Sequence, residues 1–167
     1  VYVHVPYCQK LCWYCGCNTT IRRDRSIGAP FVQQLLGELD LVLEHTGDLR
    51  LEHLALGGGT PNYLKLDDLK ALVQGLEARI TPSDDPIRST EIDPRTVETE
   101  QLDLLTGLGF QRFSLGVQTL DLDVQQAVNR PFDPEILAEM VHRLRRLGAR
   151  SINFDLMVGL PRQSEAS

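Results

Sequence analysis

The sequence predicts an α/β protein built on a parallel sheet, and three observations carry that expectation. Short strand-like runs alternate about five times with longer segments whose apolar residues recur at helical spacing. Two helical runs end on a glycine that feeds the next strand, in Leu108-Gly109-Phe110 and Leu147-Gly148-Ala149. The unusual polar residues fall at the strand ends: a glycine run, Glu91, Asp93, Gln118 and Asp155. In parallel sheets of βα units, chemistry collects at the carboxyl ends of the strands.

The first strand covers Val1 to Pro6, with the valines on one face and Tyr2 and His4 on the other. A cysteine-rich loop follows. Phe31, Leu35, Leu36, Leu39, Val42 and Leu43 then mark helix one, with Pro30 near its start. Strand two runs from Leu51 to Leu56 and ends in Gly57-Gly58-Gly59-Thr60-Pro61; Leu69, Leu72, Val73, Leu76 and Ile80 mark helix two. Arg88 to Ile92 is strand three, Leu102, Leu105 and Leu108 lie on helix three, and Gln111 to Val117 is strand four. Helix four carries Ile136, Leu137, Met140, Val141, Leu144 and Leu147, and strand five spans Ser151 to Val158 before a Gly159-Leu160-Pro161 turn. Arg143, Arg145 and Arg146 read as a solvated face of that last helix.

Composition bounds the function. With 42% hydrophobic and 24% charged residues over 167 positions, the chain suits one globular domain over 1–167, and no linker divides it. No apolar run approaches the roughly 20 residues that cross a bilayer, and the opening residues lack the form of a signal peptide, so no membrane role is expected. A net charge of −6 provides no basic field for nucleic acid. The first residue is already in a strand and the last five look like loop, which predicts a piece of a longer protein lacking an N-terminal segment and a C-terminal region.

All four cysteines lie between Cys8 and Cys17, as Cys8-x3-Cys12-x2-Cys15-x-Cys17. Such closely spaced thiols close only tiny disulfide loops, so they point to a reducing, cytoplasmic setting and a soft metal centre. Three cysteines at this spacing let one loop wrap an iron–sulfur cluster, for which thiolates are natural ligands. A structural zinc knot and adjacent disulfides are the alternatives. Zinc sites use two Cys/His pairs set a dozen or more residues apart, and no second pair follows here.

Further motifs give the chain a family likeness. Tyr2-Val3-His4-Val5-Pro6-Tyr7-Cys8, Gly57-Gly58-Gly59-Thr60-Pro61, Glu91-Ile92-Asp93-Pro94-Arg95, Gly116-Val117-Gln118, Val128-Asn129-Arg130 and Asn153-Phe154-Asp155-Leu156 occur in order across nearly the whole sequence. With the cysteine loop, they resemble the oxygen-independent coproporphyrinogen III oxidase family of the radical S-adenosylmethionine (SAM) superfamily. The resemblance implies a partial TIM barrel, (β/α)6-like and incomplete in this chain. It implies a [4Fe-4S] cluster on Cys8, Cys12 and Cys15, with the fourth iron left for SAM. Cys17 is then not a ligand, and in the family the matching cysteine has a role in catalysis.

By the same resemblance, Gly58, Gly59 and Thr60 bind the amino group of SAM, and Glu91, Gln118, Arg130 and Asp155 contact it. Glu91 suits ribose hydroxyls and Arg130 a carboxylate. Tyr14 packs on the adenine or on a second SAM, Trp13 shields the cluster, and Tyr2 and His4 lie near SAM and the reaction. Simple core packing is the other reading of Tyr14 and Trp13, and a structural role that of His4. Asp93-Pro94 reads as a strand-ending turn. His45, His53 and His142 match nothing catalytic.

The family binds two SAM molecules. It turns two propionates of coproporphyrinogen III into vinyl groups, by removing a hydrogen atom from the β-carbon and losing carbon dioxide and one electron, to give protoporphyrinogen IX. A monomer served by an electron donor such as a flavodoxin or ferredoxin is expected. Rival readings are the related radical-SAM-like heme chaperones, which carry an aromatic at the position of Cys17, and a non-enzymatic zinc-binding module.

Overall fold

A computed structural model describes residues 1–165; Ala166 and Ser167, expected to close the terminal loop, lie outside the described residues. Strand β1 (Tyr2–Val5) leads into the cysteine loop, whose two ends pair in parallel as the short strands β2 (Tyr7–Cys8) and β3 (Thr20–Ile21). Helix α1 (Gly28–Thr46) follows, then β4 (Arg50–Gly58), α2 (Leu66–Glu77), β5 (Thr81–Ile92), α3 (Thr99–Gly107), β6 (Arg112–Gln118), α4 (Leu122–Ala127), α5 (Pro134–Arg146) and β7 (Ser151–Leu156). The main sheet runs β1-β4-β5-β6-β7 with every neighbouring pair parallel. Its spatial order follows chain order without reversal, so the sheet is a section of barrel wall rather than a doubly wound sheet.

Period-two patterning assigns the faces of this wall. Phe113, Leu115 and Val117 of β6 are buried, as are Val3 and Val5 of β1 and Leu54 and Leu56 of β4. They join the buried faces of α2, α3 and α5 in one hydrophobic cluster, which α1 flanks with half-buried Phe31, Leu35 and Leu39. The opposite face is polar. There the Tyr2 hydroxyl meets His4 Nδ1 at 3.3 Å, His53 meets Ser89 at 3.0 Å, and Asn153 and Ser114 bind Asp155.

Local signals explain the helices. Asp133 accepts the Glu135 N–H, Pro134 occupies the first turn of α5, and Leu137, Met140 and Leu144 form its buried stripe. Glu98 and Gln101 form a reciprocal capping box on α3. Gly109 and Gly148 end α3 and α5 at φ 81° and 89°, as the sequence predicts.

Several elements differ from expectation. Strand β5 starts at Thr81, well before Arg88, and its pairing slips between Leu51–Pro82 and His53–Ile87. Pro82 and Pro86 have no ladder N–H, so the interrupted run does not look like a strand in sequence. Strand β7 stops at Leu156, and Val158, expected inside it, is 96% exposed. The short helix α4 and the β2–β3 pair carry too few residues to show a period. The arginine face of α5 is not wholly solvated: Arg143 grips Asp103 of α3 with Nε–Oδ1 at 2.8 Å and a second, Nη2–Oδ2 contact.

Candidate active site

The cysteine loop is held across the carboxyl ends of the strands by backbone bonds. The Gly59 N–H donates to Val5 O at 2.8 Å, Thr20 N–H to Pro6 O at 2.8 Å and Arg22 N–H to Cys8 O at 2.8 Å. Tyr7 anchors the base of the loop, edge-on to Phe31 with ring centroids 5.5 Å apart. Across the barrel mouth, the Trp13 N–H donates to Val128 O at 3.0 Å.

The four cysteines line one pocket together with Gly58, Gly59, Thr60, Tyr14, Glu91, Gln118, Arg130 and Asp155. Cys8 Sγ meets Thr60 Oγ1 at 3.2 Å and Thr19 Oγ1 at 3.3 Å. Cys12 is buried and its Sγ accepts from Arg130 Nη1 at 3.2 Å. Cys17 is exposed, and its thiol pKa is raised by partial burial and by neighbouring Cys15. Among the described residues, no three Cys, His, Asp or Glu side chains converge on one single-ion position. Thiols that line one pocket without converging on a single-ion position suit a polynuclear cluster better than one tetrahedral zinc.

The glycine run is shaped first by what packs on it. A Cβ on Gly57 would lie 2.8 Å from Glu91 Oε1, and one on Gly59 would lie 2.9 Å from the Tyr7 carbonyl. Gly58 adopts φ +107°, and its Cβ would sit 2.8 Å from the His4 ring. Gly58→Ala is therefore expected to lower stability by about 1–3 kcal/mol, the usual cost of a residue held in a sparsely populated backbone region. Urea unfolding measures it, with Gly37→Ala as control: that helical site has nothing within 4 Å and should tolerate the methyl group.

Glu91 reaches the pocket from the end of β5 and accepts the Gly58 N–H at 3.2 Å. Surrounding protein raises its carboxyl pKa, the Gly58 N–H opposes that, and Asp155 adds to it. A carboxyl whose folded pKa is raised binds its proton more tightly folded than unfolded. Stability therefore falls as pH rises from the unfolded toward the folded pKa, and stays lower above it. Glu91→Gln is expected to be more stable than wild type at pH 7, with the difference vanishing in acid. Thermal unfolding across that range checks it.

Gln118 ends β6 at φ 67°, a left-handed conformation rare for a residue with a side chain. It falls where the β6–β7 register slips, and its carbonyl accepts the Met157 N–H at 2.9 Å. Asp155 is held by the Ser114 hydroxyl and the Asn153 amide at 2.8–2.9 Å. Arg130 is buried; it donates to Gly116 O and to Asp93 Oδ1 at 3.3 Å as well as to Cys12. Tyr14 lines the pocket and packs against Val124, Val128 and Leu160, and burial raises its hydroxyl pKa.

Tyr2 and His4 are placed differently. Neither lines this pocket. Both ring nitrogens of His4 are engaged: Nε2 donates to Asn18 O at 2.8 Å, which leaves Nδ1 to accept from the Tyr2 hydroxyl. The pair lies against Gly57 and Gly58, beside the pocket rather than in it. Trp13 is 70% exposed, so it does not pack in the core, and it is not among the residues lining the pocket.

Sequence reasoning missed a buried polar web. Asp93, read as a turn residue, is 8% exposed and pairs with Arg95 at 2.6 Å and with Arg130. Asn62 ties the glycine loop to this turn by accepting the Asp93 N–H at 2.9 Å. The signal was present in the unusual density of Asp and Arg within the shared motifs, but charge partners across loops leave no spacing to read.

Comparison with known proteins gives a consistent result. Residues 2–167 match the model of the radical SAM superfamily. The chain is 42% identical over its whole length to an oxygen-independent coproporphyrinogen III oxidase of Pseudomonas aeruginosa, and 39% identical to one of Bradyrhizobium diazoefficiens. It spans 37% of the length of each. A solved structure of coproporphyrinogen III oxidase from Escherichia coli, described as a radical SAM enzyme, superposes with a TM-score of 0.94 at 36% identity; the match covers 98% of this chain and 38% of that one.

Proposed function

Since the chain belongs to the radical SAM superfamily, we propose that it is the core domain of a longer oxygen-independent coproporphyrinogen III oxidase, which converts coproporphyrinogen III to protoporphyrinogen IX. The observation that carries this reading is the pocket in which the cysteine loop faces the glycine run, Glu91, Gln118, Arg130 and Asp155. Cys8, Cys12 and Cys15 would hold a [4Fe-4S] cluster with one iron left free for SAM. When bound, the cluster and SAM supply one-electron cleavage of a carbon–sulfur bond and the hydrogen-atom abstraction that follows.

The chain's own residues bind and orient. Gly58, Gly59 and Thr60 offer backbone groups and a hydroxyl to the amino group of SAM. Glu91 accepts ribose hydroxyls and Arg130 meets the methionine carboxylate, with Gln118 and Asp155 completing the polar lining. Tyr14 packs against the adenine or a second SAM. Tyr2, His4 and Cys17 stand on the substrate side: Tyr2 and His4 on the open polar face, and Cys17 as an exposed thiol outside the ligand set. A soluble, monomeric, cytoplasmic enzyme reduced by a flavodoxin- or ferredoxin-like donor fits this chemistry, and no helix among the described residues is long and apolar enough to cross a membrane.

An anaerobic assay of the full-length protein with SAM, a reductant and coproporphyrinogen III tests the reading. Protoporphyrinogen IX and carbon dioxide are expected; heme binding without any vinyl product would turn the assignment to the related chaperones. Arg130→Ala is expected to weaken SAM binding at least tenfold with the cluster retained, since a charge-assisted pair contributes roughly 1.5–3 kcal/mol. Equilibrium SAM binding, alongside iron content, measures it.

A further inference from the structure

The segment Val128-Asn129-Arg130 touches the cysteine loop at three consecutive residues. The Val128 carbonyl accepts the Trp13 N–H at 3.0 Å. The Asn129 side-chain amide donates to the Leu11 carbonyl at 2.7 Å. Arg130 donates to Cys12 Sγ. Asn129 stands between the other two and lies 118 residues from Leu11 in sequence. Its backbone is left-handed at φ 56°, a conformation that asparagine tolerates better than most residues, and one that follows the C-terminal end of α4. Its carbonyl accepts from Arg95 Nη1 at 3.3 Å, which links it to the Asp93 ion-pair web.

We propose that Asn129 is a positioning residue for the iron–sulfur cluster, its amide holding the Leu11 carbonyl so that the Cys12 sulfur keeps one position in the pocket. This rests on the reading of Cys8, Cys12 and Cys15 as cluster ligands. The physical case is economy of contact. Between Cys8 and Cys15 the loop makes no strand pairing of its own, because β2 ends at Cys8 and β3 begins only at Thr20. Its backbone there is tied down by the internal Cys15 N–H to Cys12 O turn bond and by the two bonds to Val128 and Asn129. Among the described residues, only the latter two bonds connect that stretch of backbone to the barrel wall. Loss of the amide would leave the residue before Cys12 without its anchor, and the sulfur would sample several positions. Groups that orient ligands are worth about 10–100-fold in metal retention.

Two variants separate the amide from the backbone conformation. Asn129→Gly keeps the left-handed conformation and removes the amide. Asn129→Asp keeps the shape and sets a carboxylate against the Leu11 carbonyl. Both are made in the full-length protein, reconstituted anaerobically with iron and sulfide, and examined by iron release to a chelator and by electron paramagnetic resonance of the reduced cluster. The proposal expects iron release at least about tenfold faster than wild type, with a broadened or multiple spectrum, in Asn129→Gly and more so in Asn129→Asp. If Asn129→Asp does not fold, Asn129→Gly decides alone. Wild-type release and an unchanged spectrum in Asn129→Gly overturn the proposal, as does a lowered urea midpoint with both cluster readouts unaltered. A wild-type protein that loads no cluster overturns the cluster reading as well; one that loads normally while Asn129→Gly matches it overturns the clamp alone.

Discussion

Alanine at Cys8, Cys12 or Cys15 is expected to abolish cluster loading, whereas Cys17→Ala should load as wild type does. Cys12 and Cys17 differ in environment. Cys12 is buried, with Arg130 donating to its sulfur, while Cys17 is exposed. Partial burial raises the Cys17 pKa, and its neighbours Cys15, Glu91 and Cys8 raise it further. Chemistry agrees: a fourth thiolate would close the iron corner that SAM needs. Iron and sulfide content per chain after anaerobic reconstitution measures the outcome. Loss of iron from Cys17→Ala, or retention in Cys12→Ala, would overturn the ligand assignment.

The largest effect on stability is expected at Asp93. Its carboxylate lies between Arg95 and Arg130, all three side chains no more than 9% exposed. Asp93→Ala would leave two buried guanidinium groups without their shared counter-ion, which costs about 3–5 kcal/mol when a buried pair is broken. Asp93→Asn, which keeps the volume, should lose somewhat less. The pH dependence follows from the same geometry. Burial pushes the Asp93 carboxyl up, but Arg95 and Arg130 more than offset it and hold the pKa below the usual carboxylate range. A depressed folded pKa contributes stability that is fully present above the unfolded pKa and is lost as pH falls through the folded one. The gap between wild type and Asp93→Asn in urea midpoint should therefore be widest near neutrality and narrow in acid. A constant gap down to low pH would show that the lost stability is not electrostatic.

These two sites also show how much was legible in advance. Cysteine spacing, the glycine run and the strand–helix alternation are local in sequence, and the parallel sheet follows them in order. The gathering of Glu91, Gln118 and Asp155 at one pocket was also foreseeable, because each ends or nearly ends a strand of a sheet wound in one direction. The role of Asp93 was not, since an Asp-Pro pair after a strand looks the same whether its carboxylate is solvated or buried. Likewise, the first half of strand β5 does not look like a strand in sequence, because its prolines break the ladder that defines one.

What the sequence alone determined was the order of elements, the family resemblance and the kind of atoms offered to a metal. Those depend on periodicity and spacing, which a linear chain carries in full. The tertiary structure decided which groups share a charge, as Asp93 does with Arg130, and which backbone anchors the cysteine loop, as Asn129 does from 118 residues away. It also turned His4 away from the pocket lining and onto the Asn18 carbonyl. Such pairings depend on how separate loops meet above the barrel, and distance in space is not encoded in distance along the chain.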